Sequence, residues 1–484
     1  MGAPHPLPHV LIVGGGLAAT AVVLRLLKDT GQPLRLTLVE PRAAVGPGVA
    51  YSTPLAEHLL NGLAQMFSLY EDDPSHFSRW LAAQAPGGWQ PEPGVSFENS
   101  IPPRRVYGAY VAATLAEALA RARGQVIFTH RRARATDLAP VPGGYRVTLD
   151  DGASIDAQQV VLATGVHPRA AHRQPFELDP AVLASPRYVA DLWAEGAWDG
   201  VEQDGCVAFL GAGLSALDGL IAAEKAQFRG HYVALSRRGL AVQPRRAVAP
   251  WPDFLDVGGG PVSVRALLRQ IRQQRRLVAQ QGEDWQRLVP AIRQHVPALW
   301  DAAPLAQRRR FLQRLRSYWE VALHRSAAPA LAWQERVIRE GRYRHEAATV
   351  QSVELERDGR LAVTYRARQG EGARATLVVD RLVNCLGFEH DWTRLDDPLV
   401  AALLRRGLVR PDPLGFGIQA TRSDCAVLDA GGQPQPGLYA VGHPLRGLFW
   451  ESNAIPEQVP QAGLVARAIV HALVPAAAVE ALAL

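Results

Sequence analysis

Two short stretches combine residue types at a spacing that could handle a dinucleotide. Gly14-Gly15-Gly16-Leu17-Ala18-Ala19 and Gly211-Ala212-Gly213-Leu214-Ser215-Ala216 both read G-x-G-x-x-A, and each follows an apolar run and opens a helical pattern. In that setting the first glycine makes a tight turn, and the second lets a pyrophosphate approach the backbone. The small third residue lets helix and strand pack closely, while the helix N-terminus faces the negative charge. The residue closing the next strand then decides which nucleotide each turn accepts. Glu40 would accept hydrogen bonds from a ribose 2′-hydroxyl and repel a 2′-phosphate, which suits the adenosine of FAD or of NAD. Ser236, Arg237 and Arg238 stand at the equivalent place in the second copy. One hydroxyl and two guanidinium groups attract a 2′-phosphate, so this site should prefer NADPH to NADH.

The elements that must hold these residues recur in the same order. In the first copy a strand over 9–13 meets the glycines, a helix runs to about Asp29, and a strand over 34–39 ends at Glu40. A meander of short alternating segments, 126–129 and 145–149, leads to the apolar strand 160–163 and to Thr164-Gly165. In the second copy the strand 206–210 meets its glycines, a helix runs to about Phe228, and the strand 232–235 ends at Ser236. Its meander covers 350–355 and 361–365 and finishes at 382–387. The expected fold is α/β, with two Rossmann-like dinucleotide-binding domains, the second inserted in the first. The first occupies 1–198 and returns over 376–484; the second occupies 199–375. A helical insertion over about 261–344 reads as amphipathic helices at 264–278, 285–294 and 306–324. A strand over 437–442 and a helix over about 456–473 close the first domain.

Composition narrows the chemistry. Apolar residues make up 48% and charged residues 20% of 484 residues, which describes a folded chain of more than one domain. The net charge of +6 is small, and lysine occurs only at Lys28 and Lys225, so the positive charge is nearly all arginine. Solvated helix faces account for most of it. Selected arginines could clamp phosphates, because the guanidinium fork matches phosphate oxygens. The Arg-rich stretch 265–316 alternates with apolar residues at helical spacing and lacks the interleaved aromatics of a nucleic-acid surface. Cys206, Cys385 and Cys425 lie far apart in sequence, with no C-x-x-C, which argues against a flavin-linked dithiol and for a reducing, cytoplasmic setting. The histidines show no metal-ligand spacing. The apolar run 10–27 contains three glycines and reads as strand and helix, so no membrane span is expected. Gly213-Leu214-Ser215 begins like a nucleophile elbow, but Leu217 stands where the second glycine belongs.

Val161-Leu162-Ala163-Thr164-Gly165 followed by His167-Pro168 resembles the ATG segment of flavin-containing monooxygenases and N-hydroxylases. Further stretches are similar to the bacterial FAD/NAD(P)-binding proteins: 49–54 continuing through His58-Leu59-Leu60-Asn61, Asp72-Asp73-Pro74 with Phe77, and Pro103-Arg104-Arg105 with Tyr107-Gly108 and Tyr110. The tail matches at Gly442, Gly447, Trp450-Glu451, Pro456-Glu457 and Gln461. The resemblance implies that Glu40 binds the FAD ribose, that Arg42 and Arg105 lie near its phosphates, and that 61–68 passes beside the isoalloxazine ring. It also implies that Gly442 approaches the pyrimidine end and the ribityl chain, although His443 stands where a smaller polar residue is usual. With Gly14, Gly15, Gly16, Leu17, Ala19, Ala135, Thr164 and Gly165, these complete the expected FAD contacts. Gly211, Gly213, Ser236, Arg237 and Arg238 form the NADPH set. The segment Cys385-Leu386-Gly387 is expected to serve the domain junction.

The activity so implied is an NADPH- and O2-dependent flavin monooxygenase, in which hydride passes to the flavin and a C4a-oxygen adduct oxidises a small nucleophile. N-hydroxylation of an amino acid or amine fits, with arginines of the helical insertion receiving an anionic group. The cofactor carries the reactivity and the protein supplies orientation and a dry pocket. Asn61 and Gln65 are the candidates for hydrogen bonding beside the flavin. An NADPH-dependent FAD oxidoreductase without oxygen insertion, and a non-catalytic FAD/NADP-binding sensor, use the same residues.

Overall fold

The computed structural model describes residues 7–84, 86–169, 173–194, 196–257, 262–368 and 372–473. The chain divides into two compact units: residues 1–52, 63–167 and 389–484 form one, and 53–62 with 168–388 form the other. In this division the long crossings fall at 168 and 388, with a short one over 53–62, where the sequence led to 198 and 376 as the domain boundaries. The strands Tyr188–Val189 and Arg381–Asn384 explain the shift, because both pair in the sheet that carries the second glycine turn.

The first unit is built on six strands. In spatial order they are Ala426–Leu428, Pro434–Ala440, Gln159–Leu162, His9–Val13, Leu34–Val39 and Val126–Arg131, parallel except at the Ala426–Leu428 edge. Val10, Leu11 and Ile12 are fully buried, as expected for a parallel strand covered on both faces. The helices Leu17–Asp29 and Ile455–Leu473 pack together in this unit. Three antiparallel strands, Ala135–Val141, Gly144–Leu149 and Ser154–Ala157, form a separate small sheet.

One expectation is corrected here. Val126–Arg131 does not belong to the meander; it runs parallel beside Leu34–Val39, with Leu34 opposite Val126 and Val39 opposite Arg131. It lies at the edge of the sheet, and its side chains alternate between half-buried and exposed along its first four residues. That period of two is the pattern of an antiparallel, one-sided strand, which is why the sequence misleads.

The second unit repeats the design with a different outer edge. Its eight-stranded sheet centres on Cys206–Leu210, flanked by His231–Ser236 and Arg381–Asn384. The 13-residue strand Tyr343–Leu355 pairs in parallel with His231–Ser236 through its first half and antiparallel with Leu361–Ala367 through its second. Third strand and meander, separate in the first unit, are thus one continuous element here.

The helical insertion comprises Val264–Gln280, Leu288–Arg293, Val296–Ala302, Leu305–Arg314, Arg316–Leu323 and Ala328–Arg339. The single helix expected over 306–324 is broken at Leu315, which caps the end of Leu305–Arg314 and the start of Arg316–Leu323 with φ of −116°. Arg238 donates to the carbonyls of Gln313 and Arg314 at 3.1 and 2.8 Å, supplying partners that the end of a helix otherwise lacks. Likewise, 285–294 begins as the short 3-10 turn Trp285–Arg287 before becoming α-helical.

Candidate functional site

The two glycine turns are built alike. Gly14 has φ of +103° and Gly211 of +109°, a region that side chains rarely tolerate. The Gly14 N–H donates to the Val39 carbonyl at 2.9 Å, and the Gly211 N–H donates to the Leu235 carbonyl at 2.8 Å. Each first glycine also lies against the chain leaving a neighbouring strand. A Cβ at Gly14 would stand 2.2 Å from the Ala163 oxygen, and one at Gly211 would stand 2.6 Å from the Cys385 oxygen. Gly16 and Gly213 cap their helices in the same extended conformation, ψ −164° and −165°, and neither has a side chain to bond the first N–H groups. Those N–H groups remain available to an anion. A Cβ at Gly213 meets nothing within 4 Å, and one at Gly16 meets only Gly48 at 3.5 Å, so a ligand can approach the backbone at both.

Ala163-Thr164-Gly165 and Cys385-Leu386-Gly387 are corresponding segments. Gly165 and Gly387 have φ of +70° and +81°, and both face open space in the Cβ direction. Cys385 therefore backs the second glycine turn through its carbonyl, a closer role than the junction expected of it.

In the first unit the Glu40 carboxylate folds back over the turn. Its Oε2 accepts from the Gly15 N–H at 2.9 Å and its Oε1 from the Arg42 N–H at 3.0 Å. A carboxylate oxygen has a second lone pair, so Glu40 keeps capacity for a hydroxyl donor. The Arg42 and Arg105 side chains are exposed and make no hydrogen bond or ion pair among the described residues. Leu17 and Ala19 are buried, and Ala135 is buried at the start of its strand, opposite Leu149. Thr164 Oγ1 lies 3.4 Å from His167 Nε2.

Gly442 joins the same corner. Its Cβ direction points to the Ala18 Cβ at 3.2 Å. Its N–H donates to Gln461 Oε1 at 3.0 Å, and Ser452 Oγ donates to its carbonyl at 3.0 Å. Among the described residues, the buried atoms Gln461 Nε2, His443 Nδ1 and Asn453 Oδ1 of this segment have no hydrogen-bond partner. Buried polar atoms are normally satisfied, so a segment with such open atoms beside a dinucleotide turn fits a polar cofactor. Burial, reinforced by the nearby Arg446 and His167 charges, lowers the His443 imidazole pKa to about 3, so the ring is neutral and can hydrogen-bond a hydroxyl.

Sequence reasoning did not find the loop that covers this turn. The Gly46 N–H donates to the Gly15 carbonyl at 2.7 Å, and Gly48 lies against Gly16. The repeated glycines at 46 and 48, two residues apart and just after Glu40, were the available signal.

In the second unit the three residues expected at a 2′-phosphate separate. Arg237 is exposed and makes no hydrogen bond or ion pair among the described residues. Ser236 Oγ bonds His345 Nε2 at 2.8 Å and accepts from the Gly239 N–H at 3.2 Å. Arg238 donates to the end of the helix Leu305–Arg314 and its guanidinium lies 5.1 Å from the Tyr318 ring, so Arg237 is the member of the pair without a hydrogen bond or ion pair among the described residues. The structure does not bring Asn61 and Gln65 into one unit. Asn61 belongs to the second, where its carbonyl accepts from Arg245 Nε and Nη2 at 3.0 and 2.8 Å. Gln65 belongs to the first, exposed, with its Nε2 donating to Asn99 Oδ1 at 3.1 Å.

The thiols are inert by position. Cys206 opens its strand while Cys385 follows the strand registered beside it, so about five residues, or roughly 16 Å, separate them along the sheet. Burial raises the pKa of all three thiols, that of Cys425 to about 12.

Residues 11–167 match the family model described as FAD-NAD(P)-binding. This part of the chain is an FAD/NAD(P)-binding domain. No curated protein matches the sequence. Among solved structures, the chain is similar to an ornithine N-hydroxylase from Kutzneria sp. 744, solved with reduced FAD, NADP+ and L-ornithine. The TM-score is 0.62 at 15% identity, over 96% of this chain and 100% of that one. L-lysine 6-monooxygenase from Pseudomonas syringae gives 0.63 at 16% identity, over 96% and 99%. Bacillithiol disulfide reductase from Staphylococcus aureus gives 0.54 at 13%, over 96% and 99%. The chain thus has the two-dinucleotide-domain flavoprotein fold, which serves both oxygenation and disulfide reduction in these proteins. No helix among the described residues is long and apolar enough to cross a membrane.

Proposed function

We propose that the protein is an NADPH-dependent flavin monooxygenase that oxidises a small nucleophilic substrate, with N-hydroxylation of an amine or amino acid as the preferred reaction. The observation that carries this reading is the duplicated glycine turn, each copy with an uncapped helix start and an open approach at its second glycine. The chain-wide likeness to two N-hydroxylating enzymes supports it, and so does the separation of Cys206 from Cys385, which removes a dithiol relay between them.

FAD, reduced by NADPH, would activate dioxygen, one atom of which goes to the substrate and the other to water. The chain binds and orients. The N–H groups at the start of Leu17–Asp29 would receive the FAD pyrophosphate, Glu40 the adenosine ribose, and Arg42 and Arg105 phosphate oxygens. Neutral His443 and Gln461 Nε2 would satisfy their open hydrogen-bonding capacity on the cofactor's polar chain. In the second unit the start of Leu214–Lys225 would receive the NADPH pyrophosphate, and Arg237 its 2′-phosphate. Asn61 and Gln65 are kept as candidates for contacts beside the reacting groups.

The test is coupling. FAD-loaded protein, NADPH and a panel of amines and amino acids are incubated while oxygen uptake, hydrogen peroxide and product mass are followed. Oxygen uptake matched by a product heavier by one oxygen supports the proposal. NADPH consumption that yields only peroxide with every compound, or reduction of a non-oxygen acceptor, favours the oxidoreductase reading instead.

A further inference from the structure

Beyond the nucleotide turns, the second unit brings the Arg325 side chain and the backbone around Arg245 together at one fully buried glutamine, Gln286. Gln286 donates through Nε2 to the Pro244 carbonyl at 2.7 Å, and its Oε1 accepts from the Arg246 N–H at 3.1 Å and from Arg325 Nη1 at 2.6 Å. The Arg245 N–H donates to the Ser326 carbonyl at 2.7 Å, which ties the chain around Arg245 to the residue after Arg325. Arg293 ends the helix Leu288–Arg293, which begins two residues after Gln286.

These guanidinium groups are short of anions. Arg325 is 6% exposed, and its buried Nε has no hydrogen-bond partner. Arg293 is half-buried with no hydrogen bond or ion pair among the described residues. Arg245 bonds a neutral carbonyl, that of Asn61. Asp284, whose charge acts on Arg325, is already engaged by Arg246 Nη1 at 2.7 Å and by the Gln286 N–H at 2.8 Å. Burial, then the charges of Arg325 and Arg293, lowers the Arg245 pKa to about 10. Buried like charges without counter-ions are costly unless an anion joins them.

We propose that Arg245, Arg293 and Arg325 form a recognition site for the carboxylate of a small anionic molecule, which is the substrate if the oxygenase reading holds. The guanidinium fork matches a carboxylate's two oxygens. A phosphate has related chemistry, but Arg237 already stands free at the strand end where a 2′-phosphate is read.

The test uses FAD-loaded protein and thermal melting with malonate, inorganic phosphate or chloride at equal ionic strength. Malonate should give a saturable rise of roughly 3 °C over chloride and exceed phosphate. Arg293→Gln, which removes no hydrogen bond or ion pair among the described residues, should raise the malonate half-saturation by about tenfold or more. Arg325→Gln provides a second variant. No gain over chloride, or a gain unchanged in both variants, overturns the proposal. A loss of preference for NADPH over NADH in Arg293→Gln also overturns it, because the cluster would then be the 2′-phosphate site. A malonate gain in a protein that never couples NADPH to product keeps the anion site and removes only the oxygenase reading.

Discussion

The Glu40 carboxylate accepts a hydrogen bond from the Gly15 N–H at 2.9 Å, so the acidic lip of the first site and its glycine turn form one structure. A Cβ at Gly15 would stand 2.7 Å from the Glu40 Cβ, which fixes how closely the two strands' ends can approach. If Glu40 reads the ribose, Glu40→Ala removes a charge-assisted bond worth about 1.5–3 kcal/mol and weakens FAD binding by roughly 10- to 100-fold. Fluorescence titration of the apoprotein measures it. Unchanged affinity would remove Glu40 from the site.

The glycines separate into two kinds. Gly14 combines φ of +103° with a blocked Cβ direction, 2.2 Å from the Ala163 oxygen. Gly14→Ala must move backbone, and the expected cost is about 3 kcal/mol or more, with loss of bound FAD. Gly165 has φ of +70° but open space ahead of it, so Gly165→Ala carries only the left-handed penalty of about 1–2 kcal/mol. Denaturant melts of the two variants should rank them in that order; equal losses would contradict the close-approach argument.

The glycine turns, their strands and the Glu40 position were legible because local spacing specifies them. What the sequence hid was settled by partners far along the chain. Val126–Arg131 alternates like an antiparallel strand because it lies at the sheet edge, a fact set by Leu34–Val39. The break at Leu315 adjoins the Arg314 carbonyl, which Arg238 bonds from 76 residues away. Asn61 and Gln65 are four positions apart, yet their partners are Arg245 and Asn99, in different units. Spacing alone does not contain such tertiary information.

Arg237 and Arg238 are adjacent but should fail differently. Arg237 is exposed and makes no hydrogen bond or ion pair among the described residues, so Arg237→Ala should leave stability within about 0.5 kcal/mol. If it reads the 2′-phosphate, the preference for NADPH over NADH falls by about tenfold or more. Arg238→Ala removes two bonds to a helix end and the stacking on Tyr318, at a cost of roughly 1–2 kcal/mol, with the nucleotide preference kept. Melting curves and paired NADPH and NADH titrations distinguish them. A preference carried by Arg238 would reverse the assignment.

Glu224 makes the stability of the second unit pH-dependent. Its side chain is 1% exposed and receives Arg336 Nη2 at 2.5 Å, Arg342 Nη1 at 2.9 Å and the Tyr232 hydroxyl at 2.8 Å. Burial alone would raise its pKa, but the bonds from Arg342 and Tyr232 and the charges of Arg342 and Arg336 outweigh burial and hold it below the ordinary value of 4.5. A carboxyl whose folded pKa lies below its unfolded one stabilises the protein above the unfolded value and loses that contribution as pH falls through the folded one. Glu224→Gln leaves Arg336 and Arg342 with Glu340 as their remaining acid and should cost about 1–3 kcal/mol at pH 7. The gap between wild type and variant should then narrow as melts are repeated from pH 7 towards pH 3. A gap of constant size across that range would show that Glu224 contributes through packing and not through its charge.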